Sequence, residues 1–146
     1  MRKSLDILEE YKIPTVPHVL VGLNYGRIGG EIEALQMISE GSPSAVVIIA
    51  LSPVRKTPME DVTPPSPETI GRIMSVARLG FLDIPILLGC ARPMGQHKID
   101  TDKYAIRSGV NGIAMISQEG VDFARVQGLE PTFEDVCCSL AYQTLL

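Results

Sequence analysis

Short apolar runs rich in β-branched residues recur along this chain, with amphipathic stretches between them. Thr15–Leu23, Ala45–Leu51, Ile84–Gly89 and Val110–Ile116 are near-continuous in hydrophobicity. A strand wetted on one side alternates apolar and polar residues. Uninterrupted runs therefore predict strands covered on both faces, as in parallel sheets. Glu31–Glu40, Pro67–Phe81, Asp100–Ser108 and Gln118–Gln127 read as the intervening helices, and Arg2–Tyr11 as one that leads in. Ser66, Pro67 and Glu68 supply an N-cap, a proline at the first helical position and an early acid. Gly41, Gly109 and Gly128 stand where helices should stop.

The resulting order is α(βα)₄, an α/β fold whose units recur about every 30 residues. Residues 1–146 form a single domain in this reading, and 129–146 are a C-terminal tail that is harder to place. Four parallel strands leave two architectures. Either the sheet is doubly wound, with helices on both faces, or it is half of a TIM-type barrel. In the half barrel an apolar concave face and two bare edges need closure by self-association or a partner chain.

Composition narrows the function classes. With 45% hydrophobic residues, 21% charged residues and a net charge of −4, the chain reads as an ordinary soluble protein. No basic stripe is available to neutralise phosphates, which argues against a nucleic-acid partner. No apolar run has the length of a membrane span, and the N-terminal stretch lacks a signal-peptide core. Three cysteines, two of them adjacent, do not make a secreted disulfide framework, so a cytoplasmic setting with free or metal-bound thiols is expected.

Candidate chemistry lies on the loops that follow the strands, where parallel α/β folds bind ligands. Ser52–Ser66 is a long proline-rich loop carrying Arg55 and Lys56, cations that are either surface groups or partners for a carboxylate. Gly22 to Gly30 holds four glycines in nine residues and leads directly into a helix. It matches neither the dinucleotide fingerprint nor the P-loop. It is then either a helix-terminus site for an anion or a polar ligand edge, or a tight turn packed closely on neighbouring chain. Glu33 either accepts backbone N–H bonds from this turn or is an exposed helix-start acid. His18 lies mid-strand, as a core or barrel-facing residue rather than a ligand.

The segment GRIGGEIE, Gly26 to Glu33, resembles the G-x-I-x-G-x-x-E motif after the fifth strand of radical S-adenosylmethionine (SAM) enzymes. The preceding HVLVGLNYG, the later LLGCARPMGQHKIDTDKYAIRSGVNGIAMISQEGVDFARVQGLEP and the CCSL segment resemble the biotin synthase and lipoyl synthase branch, including archaeal-type two-component lipoyl synthases. The likeness covers nearly the whole chain, in the order helix 4 through helix 8 of a (βα)₈ barrel.

The resemblance implies SAM-adenosine contacts from Gly26, Ile28, Gly30 and Glu33, with Pro53 and Arg55 on the neighbouring loop. It implies substrate contacts from Asn24, Arg92, Gln96 and His97, the substrate being a small molecule of lipoyl or biotin type. Cys90, Cys137 and Cys138 become candidates for an auxiliary iron–sulfur cluster, although free cysteine is as often a buried small residue and no CxxC pair is present. The C-x-x-x-C-x-x-C loop that holds the family's [4Fe–4S] cluster is not encoded on this chain, so the cluster belongs to a partner chain or a missing N-terminal half. The implied reaction is SAM cleavage to a 5′-deoxyadenosyl radical, then hydrogen abstraction and sulfur insertion. The isolated chain is expected to be inactive. Two other classes stand beside this reading: a non-enzymatic α/β scaffold that self-associates through its open face, and an independent doubly wound domain binding a nucleotide at Gly26–Gly30.

Overall fold

The computed structural model describes residues 2–145. Helix α1 (Arg2–Glu10) leads into strand β1 (His18–Val21), helix α2 (Glu31–Ser39), strand β2 (Val46–Ala50) and helix α3 (Pro67–Gly80). Strand β3 (Ile86–Leu88), helix α4 (Gln96–Arg107), strand β4 (Gly112–Ile113) and helix α5 (Gln118–Val126) follow, with one 3₁₀ turn at Ala141–Gln143. The four strands pair in parallel in the order β1-β2-β3-β4. His18 lies opposite Val47, Val46 opposite Ile86, and Leu87 opposite Gly112. This order contains no reversal, so the sheet has no doubly wound switch point and that architecture is ruled out.

The period-2 pleat sorts each strand onto two faces. Val19, Val21, Val46, Ile48, Ala50, Ile86 and Leu88 point to one face and form the main core with Leu35 and Ile38 of α2, Ile70, Ile73, Met74 and Ala77 of α3, and Ala105 of α4. The α3 residues recur at helical spacing, which places them on one stripe. Burying each large side chain contributes roughly 1.5–3 kcal/mol. The helical core thus lies on one side of the sheet. On the other side Ala45, Val47 and Leu87 are buried with Val16, Ile49 and the chain's own tail, through Cys138, Ala141 and Tyr142.

Several boundaries differ from the sequence pattern, each for a local reason. β1 is shorter than the apolar run because Pro17 lacks a ladder donor and Gly22 takes φ 87. β4 is reduced to two residues, with Met115 at φ 51 two residues beyond it. α4 begins at Gln96 rather than Asp100, because Gly95 at φ 66 turns the chain into the helix. Gly109 and Gly128 end their helices at φ 74 and φ 78, whereas α2 stops at Ser39 with a right-handed Glu40 cap before Gly41. Ser66 caps α3 by accepting the Thr69 N–H at 3.2 Å, as its sequence predicts.

Candidate functional site

Parallel strands in sequential order bring all four βα loops to one end of the sheet. Here those loops are laced to one another by buried polar groups and close packing.

The glycine turn is held from within. Glu31, the first residue of α2 and only 3% exposed, accepts the N–H of Gly22 at 2.8 Å and of Gly29 at 2.6 Å. Glu33, two residues on, is exposed. The turn-orienting carboxylate is therefore Glu31, and Glu33 is the helix-start acid. Two acids two residues apart fall on different faces of a helix, and sequence spacing could not say which face met the turn.

The turn also packs on the next loop. A Cβ on Gly26, at φ 80, would stand 2.2 Å from the Thr63 carbonyl oxygen, and one on Gly22 would stand 2.4 Å from Pro65. So Gly26, expected beside a cofactor, faces the β2–α3 loop instead. A Cβ on Gly30 would meet nothing within 4 Å, and the Ile28 side chain is 42% exposed. These two positions leave open backbone and a free apolar group. Asn24 is exposed, and its amide lies over Gly29, where an added Cβ would be 3.1 Å away. Arg55 is exposed and Pro53 half-buried on the proline-rich loop.

A buried ion pair joins the β3–α4 loop to helix α4 and, through Ser117, to the β4–α5 loop. Arg92 Nη2 donates to Asp102 Oδ1 at 2.8 Å, with side chains 1% and 0% exposed. Arg92 Nη1 also donates to the Gly89 carbonyl at 2.6 Å. Asp102 Oδ2 accepts the Ser117 N–H at 2.8 Å and faces Lys98 Nζ at 3.4 Å. Arg92, expected to meet substrate, is thus used inside the fold. Its Nε is buried without a hydrogen-bond partner. His97 is likewise engaged, donating from Nε2 to the Pro65 carbonyl at 2.9 Å and so tying α4 to the β2–α3 loop. Gln96 is exposed and donates to Asp100 at 3.0 Å. Sequence reading missed both Glu31 and Asp102. For Asp102 the available signal was Lys98 four residues earlier on the same helix.

The cysteines do not assemble a metal centre. Cys90 and Cys137 are exposed and Cys138 is half-buried. Among the described residues no group of three or more His, Cys, Asp or Glu side chains stands close enough to hold a metal ion. The three thiols in this arrangement therefore do not fit an auxiliary cluster. Hydrogen bonds from Ser139 hold the Cys137 thiol below its ordinary value, while burial, helped by the neighbouring Cys137, raises Cys138. A cleft of about 340 Å³ lies between α3 and α4, where Lys103 and Arg107 are offset by Glu68 and Asp100. That balance of charge selects no ligand. No described helix is long and apolar enough to cross a membrane.

The class of protein this defines is a parallel α/β domain with sequential strand order. No family model matches the chain, and no curated protein or solved structure matches it either.

Proposed function

We propose that this chain is the C-terminal half of a radical SAM barrel of the biotin synthase and lipoyl synthase-like group, contributing SAM-adenosine and substrate contacts. The observation that carries the reading is the position of GRIGGEIE. It follows the first of four sequentially ordered parallel strands, at their C-terminal end, on a sheet with its helical core on one face. Exposed Ile28 and the open backbone at Gly30 fit an adenine ring and ribose. Gly26 serves the turn through its packing on Thr63.

When bound, SAM together with a [4Fe–4S] cluster on the partner half supplies the radical chemistry. The residues of this chain bind and orient. Glu31 keeps the glycine turn in one conformation, Ile28 offers the apolar contact, and the exposed Arg55 offers a cation for a carboxylate. Arg92 and Asp102 act as positioning residues that fix the wall formed by the third and fourth loops.

The test is anaerobic co-expression with the polypeptide, upstream in the same or an adjacent reading frame, that encodes C-x-x-x-C-x-x-C. Reductive SAM cleavage should require both halves and should fall roughly tenfold or more in Ile28→Asp. If no such sequence exists, or the cluster-loaded complex leaves SAM intact, the proposal is wrong. A scaffold would form the complex, or self-associate, without any turnover.

A further inference from the structure

The tail on the second face of the sheet brings together two thiols and an imidazole that the loop-end site does not use. Cys137 is exposed, whereas Cys138 is half-buried and packs on the layer formed by Ala45, Val47 and Leu87. Cys138 Sγ lies 3.9 Å from His18 Nε2. The other ring nitrogen, Nδ1, is 2.9 Å from the Val16 carbonyl oxygen. A carbonyl only accepts, so Nδ1 carries the hydrogen, and in the neutral ring Nε2 turns its lone pair toward the Cys138 thiol.

We propose that Cys137 and Cys138 form a thiol–disulfide switch, with His18 as proton acceptor for the second thiol, that governs whether the tail stays on the sheet. The oxidant is a low-molecular-weight disulfide of the glutathione type. Cys137 thiolate attacks one sulfur of that disulfide, forming a mixed disulfide and expelling one thiolate. Cys138 gives its proton to His18 Nε2 and attacks Cys137 Sγ, forming the Cys137–Cys138 bond and expelling the second thiolate. Two protein thiols lose two electrons, the small disulfide gains them, and the two protons end on the two released thiols. Exposure of Cys137, with the hydrogen bonds from Ser139 that favour its thiolate, makes it the attacking group. Burial makes Cys138 the resolving one.

The structural consequence follows from geometry. Consecutive Cα atoms stand about 3.8 Å apart, closer than an ordinary disulfide spans, so closing the S–S bond at about 2.05 Å must twist the peptide between the two cysteines and move Cys138 Sγ from its place beside His18. The tail is held by side-chain packing rather than by backbone pairing to the sheet. Its described backbone hydrogen bonds from Cys137 to Leu145 run within the tail itself, such as Leu140 N–H to the Cys137 carbonyl. Ala141 and Tyr142 then remain on that layer, and Leu145 Cδ1 stays close to Gly112 of β4.

The full chain, reduced and then treated with oxidised glutathione, is quenched by alkylation and mapped by peptide mass. The expected course is a transient single adduct on Cys137, then a tail peptide lighter by two hydrogens. Cys138→Ser should stall at the adduct. Cys137→Ser should slow adduct formation roughly tenfold or more. His18→Gln should leave adduct formation unchanged and slow the second step roughly tenfold. Amide exchange over residues 136–145 should rise on oxidation. A stable adduct on the unsubstituted chain, a bond to Cys90, or unchanged exchange would each overturn the switch. Mapping the unsubstituted chain decides the pairing even where a variant fails to fold.

Discussion

Glu31 accepts the backbone N–H of Gly22 at 2.8 Å across nine residues of chain, in a site almost closed to water. With the second bond, from Gly29, one carboxylate closes the glycine turn against the first residue of α2.

Hydrogen bonds to a charged acceptor contribute roughly 1.5–3 kcal/mol each. Glu31→Gln removes the charge and points an amide donor at one of two backbone donors. It should lower unfolding free energy by about 2–4 kcal/mol, read as a fall in urea midpoint at constant slope. Glu33→Gln should stay within about 0.5 kcal/mol of the parent. Equal effects at the two positions would refute the assignment of roles.

Gly26 and Gly30 both have positive φ, yet a Cβ on Gly26 collides with Thr63 while one on Gly30 meets open space. Gly30→Ala should therefore cost only the backbone strain, about 1–2 kcal/mol. Gly26→Ala must also displace the β2–α3 loop and should cost more than 3 kcal/mol, or prevent folding. Thermal or chemical denaturation orders the two, and the reverse order would exclude the packing described.

Asp102 has no exposed side-chain surface and answers Arg92, Ser117 and Lys98 together. Asp102→Leu, like Arg92→Met, strands a buried charge and should destabilise by about 3–5 kcal/mol. The double variant Arg92→Met/Asp102→Leu removes both charges and should recover most of that loss. Additive losses in this double-mutant cycle would show that the pair is not coupled.

Ala141 rests on the apolar layer of Val47 and Leu87. Ala141→Asp places a carboxylate there, and the tail should leave the sheet rather than bury it. Binding of a hydrophobic dye should increase while the helical core keeps its far-ultraviolet signal. No change in dye binding would mean that the tail does not shield this face.

The two adjacent thiols should titrate apart. Alkylation of Cys137 should accelerate at a lower pH than that of Cys138, since Ser139 stabilises the first thiolate and burial disfavours the second. A thiol whose folded value is raised binds its proton more tightly in the folded state. The stability Cys138 contributes is thus complete below the unfolded thiol value and lost as pH rises through the folded one. Cys138→Ala should flatten stability across that window, measured by denaturation at stepped pH.

Element type was legible in the sequence because it depends on local pattern. Continuous apolar runs such as Ala45–Leu51 marked buried strands, and Ser66-Pro67-Glu68 marked the start of α3. The ends were less legible where tertiary pairing sets them. Val110–Ile116 has the composition of a full strand, but it is an edge with one neighbour and keeps only Gly112–Ile113.

Hydrophobic periodicity and glycine placement thus determined, by themselves, that this is a parallel α/β chain with its polar loops gathered at the strand ends. They could not say which of two nearby acids would meet a backbone turn. They could not show that Arg92 would be spent on Asp102, that Gly26 would meet Thr63, or that the tail would lie over Val47 and Leu87. Those relations join residues distant in sequence, and side-chain direction and close contact between separate elements decide them. Only the folded chain fixes both.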